Sequence, residues 1–270
     1  MPARAPAAIA VEAAFMPVDR SPGATCVPVG AACYFIAAAD ISGGGPVSAA
    51  PNVTFSGAAT RSLRGTCLAA LIGVSAPLDF PVVLIVASRG GLAAISRVLA
   101  SFPKDFPAAV VIVQHRAELP GLAWEHIVER MTPMRVRGIV PGEHLEPGIV
   151  YVAPATTHVS ISPQGYLKVT DGERIRGVLS SANPLFESAG AHLGRRTIAV
   201  VLTGWGRDAT DGVQAVKHGG GIVIAQDERS SVDFGMPGSA IATGTVDYVR
   251  SIEDIGPLIV DLVNQHSVAT

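Results

Sequence analysis

An uninterrupted run of apolar residues at positions 82–87 is the clearest structural signal in the chain. Its sequence, VVLIVA, holds four β-branched residues and no polar alternation, which is typical of a strand buried on both faces of a parallel sheet. Ser88 and two glycines follow, and apolar residues then recur at helical spacing from Leu92 to Phe102. Ser88 is therefore predicted at a sharp strand-to-helix turn, at the carboxyl edge of a sheet, where open α/β sheets bind ligands.

Strand and helix patterns continue to alternate towards the C-terminus. Strands are predicted at 108–114, 135–140, 148–153, 197–203, 221–226 and 246–249, and helices at 120–131, 184–193, from about 209 to 218, 237–242 and 252–263. Alternating residues at 158–162 and 166–170 flank Pro-Gln-Gly, which indicates a hairpin. The pattern predicts an α/β fold with a doubly wound, mostly parallel sheet, helices on both faces and a small antiparallel hairpin.

Residues 1–78 have a different character from the rest. They are rich in Ala, Pro, Gly, Ser and Thr, carry little charge and sustain no period of a strand or a helix. Glycine and proline clusters at 43–46 and 50–52 are breakers. We predict a low-complexity, poorly ordered extension at 1–78 and a folded domain at 79–270. One hypothesis is that the extension is translated from a start codon upstream of the natural one.

Net charge, apolar runs and cysteine content argue against several classes of protein. A net charge of −2 gives no basic surface that would favour nucleic acid. The chain has no run of 18 apolar residues without a breaker, so no membrane span is predicted. The three cysteines lack the paired spacing of a zinc site, and an odd number argues against a disulfide framework. A cytoplasmic protein is expected.

Ser88 itself has three interpretations. Serine commonly caps a helix N-terminus, and Gly90 and Gly91 would let an anion approach the backbone of a phosphate-binding turn. The third interpretation is a nucleophile exposed at the turn. A nucleotide site has the weakest support, because both G-x-G-x-x-G and the Walker A lysine are missing from the stretch after this strand.

Two further polar residues follow predicted strands. His115 ends the strand at 108–114, and Asp208 lies one short loop beyond the strand at 197–203. Parallel strands bring their carboxyl ends to one edge, so Ser88, His115 and Asp208 are candidates for a nucleophile, a general base and its orienting carboxylate. Alternatively, His115 is a loop residue and Asp208 a helix N-cap, with Asp211 equally well placed. The remaining histidines considered, interpreted as surface or packing residues, are His144, His158, His192 and His218.

Five motifs, in order and spacing, resemble the catalytic domain of chemotaxis protein-glutamate methylesterases of the CheB type. They are ASRGG at 87–91, QH at 114–115, PGIVYVAP at 147–154, LTGWGRD at 202–208, and AQ at 225–226 with FGMP at 234–237. The resemblance extends from about Val82 to the C-terminus and implies that the domain at 79–270 is a methylesterase-like catalytic domain.

The resemblance implies a serine hydrolase with Ser88, His115 and Asp208 as its triad. It implies hydrolysis of glutamyl methyl esters on methyl-accepting chemotaxis receptors, with release of methanol, and usually the deamidation of receptor glutamines. Backbone N–H groups near Arg89 and Trp205 are candidate oxyanion donors. Neither a metal nor an organic cofactor is implied.

The chain departs from the family pattern at several positions. Val86 and Arg89 replace small residues around the serine, Arg116 follows the Gln-His pair, and Leu179 stands where the family has arginine. These departures are expected to lie in the lining of the cleft rather than in the core. They leave the identity of the substrate undecided. The family's usual receiver domain is not expected in residues 1–78, so control would come from a separate protein or be absent. The alternatives are a non-catalytic chemosensory module and an esterase with another substrate.

Overall fold

The computed structural model describes residues 78–117, 123–171, 173–175 and 177–268, together with two strands nearer the N-terminus. Those strands, β1 (Ala24–Val29) and β2 (Ala32–Ala37), form an antiparallel pair that the sequence pattern did not predict. The chain divides into two compact units, 1–73 and 74–270. The rest of the predicted extension lies outside the described residues, so its poor order stays a prediction.

The second unit contains nine described strands. They are β3 (Val82–Ala87), β4 (Ala109–Gln114), β5 (Arg135–Gly138), β6 (Ile149–Val152), β7 (Thr157–Ile161), β8 (Leu167–Asp171), β9 (Thr197–Val201), β10 (Ile222–Gln226) and β11 (Tyr248–Arg250). Seven of them form one parallel sheet in the order β11-β10-β9-β3-β4-β6-β5, while β7 and β8 pair as an antiparallel hairpin. The predicted parallel sheet and hairpin are both confirmed.

Helices cover both faces of this sheet. They are α1 (Gly91–Leu99), α2 (Trp124–Glu129), α3 (Asn183–Leu193), α4 (Thr210–His218), α5 (Gly235–Ile241) and α6 (Ile252–Val268). Side chains of β3 alternate between two cores: Val82, Leu84 and Val86 pack with α3, α4, α5 and the hairpin, and the residues between them pack with α1, α2 and α6. Because β3 is buried on both sides, its sequence shows no polar alternation.

Several element boundaries differ from the prediction. Helix α2 begins at Trp124 rather than near 120, although 118–122 lie outside the described residues, and β11 begins at Tyr248 rather than at 246. Leu78, which the composition assigned to the extension, is 3% exposed and belongs to the core. Short edge elements carry a weaker hydrophobic pattern than β3 or β4, so their ends are harder to predict.

The sheet topology fixes where a ligand site can form. From β3 the chain crosses to β4 on one side, and it later returns to β9 on the other side of β3. The carboxyl ends of these three central strands lead directly to Ser88, His115 and Leu202. A reversal of this kind opens a crevice beyond the strand ends, which is the usual ligand site of a doubly wound sheet.

Candidate active site

Ser88 is held by its backbone on both sides of the turn. Its N–H donates to Thr203 O at 3.0 Å, and its carbonyl oxygen accepts from Gly91 N at 2.9 Å and Gln114 Nε2 at 2.8 Å. Helix α1 has Gly90 as its N-cap, with no side-chain cap, so the interpretation of Ser88 as an N-cap is wrong. Within the described part of the chain, the Ser88 hydroxyl has no hydrogen-bond partner.

The glycines around Ser88 are explained by close packing. A Cβ on Gly91 would lie 2.3 Å from Gln114 Oε1, and a Cβ on Gly204 would lie 2.7 Å from the Cβ of Ser88. Gly90 has a φ of +78°, which L side chains rarely adopt. Gly90 and Gly91, which suggested a phosphate-binding turn, are therefore needed for the backbone of the turn and for its close packing against Val232 and Gln114, while Gly204 lets the loop after β9 approach Ser88.

His115 lies beside Ser88 because their strands are in register. Ala87 pairs with Gln114 across the β3–β4 ladder, and the His115 N–H donates to Ala87 O at 2.9 Å. The imidazole Nε2 lies 2.8 Å from Asp208 Oδ2, a contact across 93 residues of sequence. The ring is 14% exposed and the carboxylate 2% exposed. The structure thus brings His115 and Asp208 into direct contact at the edge where Ser88 emerges.

Asp208 does not cap helix α4. The N-cap is Ala209, with a φ of +69°, and no side chain caps the helix. The Asp208 carboxylate instead accepts hydrogen bonds from Ser181 Oγ at 2.6 Å, Ala182 N at 2.8 Å and Asn183 Nδ2 at 3.3 Å. Three donors from the start of α3 therefore fix the carboxylate that faces the imidazole.

These contacts decide the charge of Asp208. Burial is the largest single influence and favours the neutral acid. The hydrogen bond and charge of His115, with the hydrogen bonds from Ser181 and Ala182, act in the opposite direction and together outweigh burial. They hold the pKa of Asp208 below its ordinary value, so the carboxylate is ionised at neutral pH.

Arg89 and Trp205 lie on the two loops that flank Ser88. The Arg89 side chain is 67% exposed, with its Nε 3.7 Å from Asp233 Oδ2, and Trp205 is 70% exposed. In the ranges that the structure describes, neither residue's backbone N–H has an intramolecular acceptor. Both groups are thus available to an external oxygen, and their role as oxyanion donors stays a prediction.

The four departures from the family pattern do not share one environment. Val86 is fully buried in the sheet, where it pairs with Val113 and Val201, so its expected place in the cleft lining is wrong. A residue two before the turn is still in the regular strand and points into a core. Arg116 donates to Ala153 O at 3.1 Å and stacks over Trp124. The fourth position, Leu179, is 36% exposed.

Three polar residues that hold the site together stand within the quoted motifs, but sequence reasoning gave them no role. The Thr203 hydroxyl donates to Arg89 O at 3.0 Å and accepts from Asp233 N at 2.9 Å, and Gln226 Oε1 accepts the Thr203 N–H at 2.8 Å. Gln114, Thr203 and Gln226 are all buried polar residues. A polar residue at the end of an apolar strand is the one signal that could have identified them, because such a group needs a partner.

In the part of the chain that the structure describes, His, Cys, Asp and Glu form no group of three that could hold a metal ion. None of the helices described there is long and apolar enough to cross a membrane.

Comparisons with known proteins find relatives of this chain that share its sequence over most of its length. Protein-glutamate methylesterase FrzG of Myxococcus xanthus is 38% identical over 193 residues, which cover 70% of this chain and 56% of FrzG. The protein-glutamate methylesterase/protein-glutamine glutaminase of the group 3 operon of Rhizobium meliloti is 39% identical, over 69% of this chain and 52% of that protein. The chain thus spans about half the length of the curated relatives it matches.

A solved structure and a family model give the same assignment. The Thermotoga maritima CheB methylesterase catalytic domain superposes with a TM-score of 0.64 at 34% identity, covering 69% of this chain and 100% of that one. The family model for CheB methylesterase matches residues 83–259, which include Ser88, His115 and Asp208. The chain belongs to the CheB methylesterase family.

Proposed function

We propose that this protein is a serine hydrolase that demethylates glutamyl methyl esters on methyl-accepting chemotaxis receptors. The observation that carries the proposal is the 2.8 Å contact between His115 Nε2 and Asp208 Oδ2, at the strand edge where Ser88 emerges. Ser88 is the nucleophile, His115 the general base and Asp208 the carboxylate that orients it. Family membership and the names of the relatives support the choice of ester.

The Asp208 contact selects the nitrogen that acts as base. An ionised carboxylate on Nε2 holds the ring proton there, which leaves the lone pair of Nδ1 free to accept the Ser88 proton. The Ser88 hydroxyl lacks a partner among the described residues. A nucleophile–base hydrogen bond is often long before substrate binds and shortens in the complex.

Acylation then exchanges one ester for another. Ser88 Oγ attacks the side-chain carbonyl carbon of the methyl ester while His115 takes the hydroxyl proton, and a tetrahedral oxyanion forms. The C–O bond to the methoxy group breaks as His115 returns the proton, which releases methanol and leaves the glutamyl group esterified to Ser88. Donors at Arg89 N and Trp205 N are proposed to stabilise the oxyanion, at about 3–4 kcal/mol each.

Deacylation repeats these steps with water. His115 removes a proton from water, the hydroxide attacks the acyl carbon, and Ser88 leaves with the proton that His115 held. The products are a glutamate side chain and the free serine. An amide in place of the methyl ester would release ammonia by the same route, so we include glutamine deamidation in the proposal.

The proposed partners are chemoreceptors presenting a glutamyl side chain, with a separate regulatory protein as a further candidate. A cytoplasmic location is part of the proposal, supported by the odd number of cysteines, three, which argues against a disulfide framework.

Methanol release from methylated chemoreceptor membranes tests the function, with wild-type protein compared with Ser88→Ala. We expect release from the wild type and a fall in kcat of about 10⁶-fold in the variant, the size seen when such a serine is removed from another hydrolase. Ser96→Ala is the matched control. It removes a half-buried hydroxyl of α1 that makes no side-chain hydrogen bond in the described ranges, so it should keep wild-type activity.

Two outcomes contradict the proposal. Equal release from the wild type and Ser88→Ala would exclude Ser88 as nucleophile. If neither protein releases methanol from receptors that a known methylesterase demethylates, the substrate assignment is wrong. A screen of small esters would then test an esterase with another substrate, and inactivity there would favour the non-catalytic module.

A further inference from the structure

His158 is a buried histidine whose two ring nitrogens are both engaged. It lies on β7, is 5% exposed, and was interpreted from the sequence as a surface or packing residue. Its Nε2 lies 3.0 Å from Glu173 O, and its Nδ1 lies 3.2 Å from Ser181 N. A carbonyl only accepts and a backbone N–H only donates, so Nε2 carries the proton and Nδ1 is the acceptor.

The Ser181 backbone that His158 holds is directly connected to the candidate active site. Ser181 Oγ donates to Asp208 Oδ1 at 2.6 Å, and Ala182 N donates to Asp208 Oδ2 at 2.8 Å. Asp208 in turn contacts His115. The segment 181–183, which we name the carboxylate clamp, therefore connects the hairpin to the general base.

The hairpin also contacts helix α3 independently of His158. Ile161 N donates to Ser188 Oγ at 2.9 Å, so a hydrogen bond joins β7 to α3 itself, three residues farther along the strand than His158. Loss of the His158 contact would therefore leave α3 attached to the hairpin. The effect of that loss should be concentrated on the start of the helix, where the carboxylate clamp lies.

We propose that His158 is a positioning residue, which sets the geometry of Asp208 and His115 by holding the Ser181 N–H through its Nδ1. The proposal rests on the proposed function, since it assigns a role within the same site. A misplacement of about 1 Å at a reacting group can lower a rate by about 100-fold. A single acceptor for one buried N–H is therefore enough to affect catalysis without unfolding the protein.

Two substitutions test the hydrogen bonds of the two ring nitrogens one at a time. In His158→Asn, the amide oxygen can occupy the place of Nδ1 and accept from Ser181 N, while the contact with Glu173 is lost. In His158→Gln, the amide nitrogen can occupy the place of Nε2 and donate to Glu173 O, while the acceptor for Ser181 N is lost. Each variant removes one hydrogen bond of a buried polar group, so a merely structural role predicts similar effects from both.

The kcat and KM of methyl ester hydrolysis are measured for both variants, with thermal unfolding as the measure of folding. We expect His158→Asn to keep kcat within about 3-fold of wild type and His158→Gln to lose about 10-fold to 100-fold in kcat. KM should stay unchanged in both, because His158 is buried and both of its ring nitrogens bond within the protein. Equal losses of kcat in the two variants, or a larger loss in His158→Asn, would overturn the proposal.

A spectroscopic readout keeps this test separate from the proposed function. In protein labelled with ¹⁵N-histidine, the proton on His115 Nε2 reports its hydrogen bond to Asp208. We expect its resonance to be retained in His158→Asn and shifted or lost in His158→Gln, whether or not the wild type hydrolyses the receptor ester. An unchanged resonance in His158→Gln would refute positioning, whereas an inactive wild type with the expected shift would refute the substrate alone.

Discussion

Ser88 leaves no room for a side chain at position 204, which is occupied by glycine. A Cβ at this position would lie 2.4 Å from Met236 Sδ and 2.7 Å from the Cβ of Ser88. The thioether can move, but Ser88 is fixed by its hydrogen bond to Thr203 O. We expect Gly204→Ala to displace Ser88 and to lower kcat by about 100-fold, measured as methanol release.

Gly138→Ala is a suitable control for this substitution. Its new Cβ would lie 3.6 Å from Glu125 Oε1, an ordinary contact, at the end of edge strand β5. Activity close to wild type is expected. If Gly204→Ala retained full activity with an unchanged melting temperature, Ser88 would not need the close approach of this loop.

At the residue scale, sequence reasoning identified the candidate side chains that follow strands with a clear run of apolar residues. Ser88 comes directly after a run of apolar residues, His115 comes one residue after a second run, and Asp208 follows a third run within one loop. Ser181 and His158 gave no such signal. They contact their partners across 27 and 23 residues of sequence, between elements whose packing no local pattern specifies.

At the element scale, helices α3 and α4 determine how Asp208 meets the carboxylate clamp. Asn183 begins α3, and Asp208 lies just before α4. The two helices approach through Gly190, where a Cβ would lie 2.5 Å from Ala215 O. A backbone oxygen within a helix cannot move aside as a flexible side chain can.

We expect Gly190→Ala to destabilise the protein by about 1–3 kcal/mol, because the new methyl group overpacks the contact. Alanine in a helix interior would by itself stabilise the helix by about 1 kcal/mol, so a net loss of stability would show that the contact dominates. Urea unfolding measures the difference. Activity should fall as well, because the donors to Asp208 come from the first residue of α3 and from the residues just before it.

The exposed neighbour Ala191 supplies the comparison on the same helix. Ala191→Gly should cost about 1 kcal/mol through helix propensity alone and leave kcat unchanged. A stabilised Gly190→Ala variant would mean that α3 and α4 can separate freely.

The sequence predicted element types better than element contacts. The buried strands and the hairpin follow directly from runs and alternation of apolar residues, and α3 ends at Leu193, as predicted, with Gly194 as its C-cap. The approach of α3 to α4 depends on where each helix docks on the sheet. The local sequence around Gly190 does not show whether this glycine is needed for a close contact between helices or only lowers the helix propensity of the segment.

At the scale of the whole molecule, the stability of the fold depends on the charge of the Asp208 carboxylate. Hydrogen bonds and the charge of His115 outweigh burial and hold the pKa of Asp208 below its ordinary value of 3.8. The ionised group therefore stabilises the folded protein fully at pH values above 3.8. That contribution is lost as the pH falls through the lower, folded-state pKa.

This linkage predicts how Asp208→Asn should change stability with pH. At about pH 5, we expect the free energy of unfolding of the wild type to exceed that of the variant by a constant amount. This difference should shrink as the pH falls to about 2. Urea unfolding at a series of pH values measures both proteins. Asp105→Asn, at an exposed position, should follow the wild-type curve throughout. A difference that stayed constant down to about pH 2 would mean that the folded state does not favour the ionised carboxylate, and the contacts from Ser181, Ala182 and His115 would then not fix its charge.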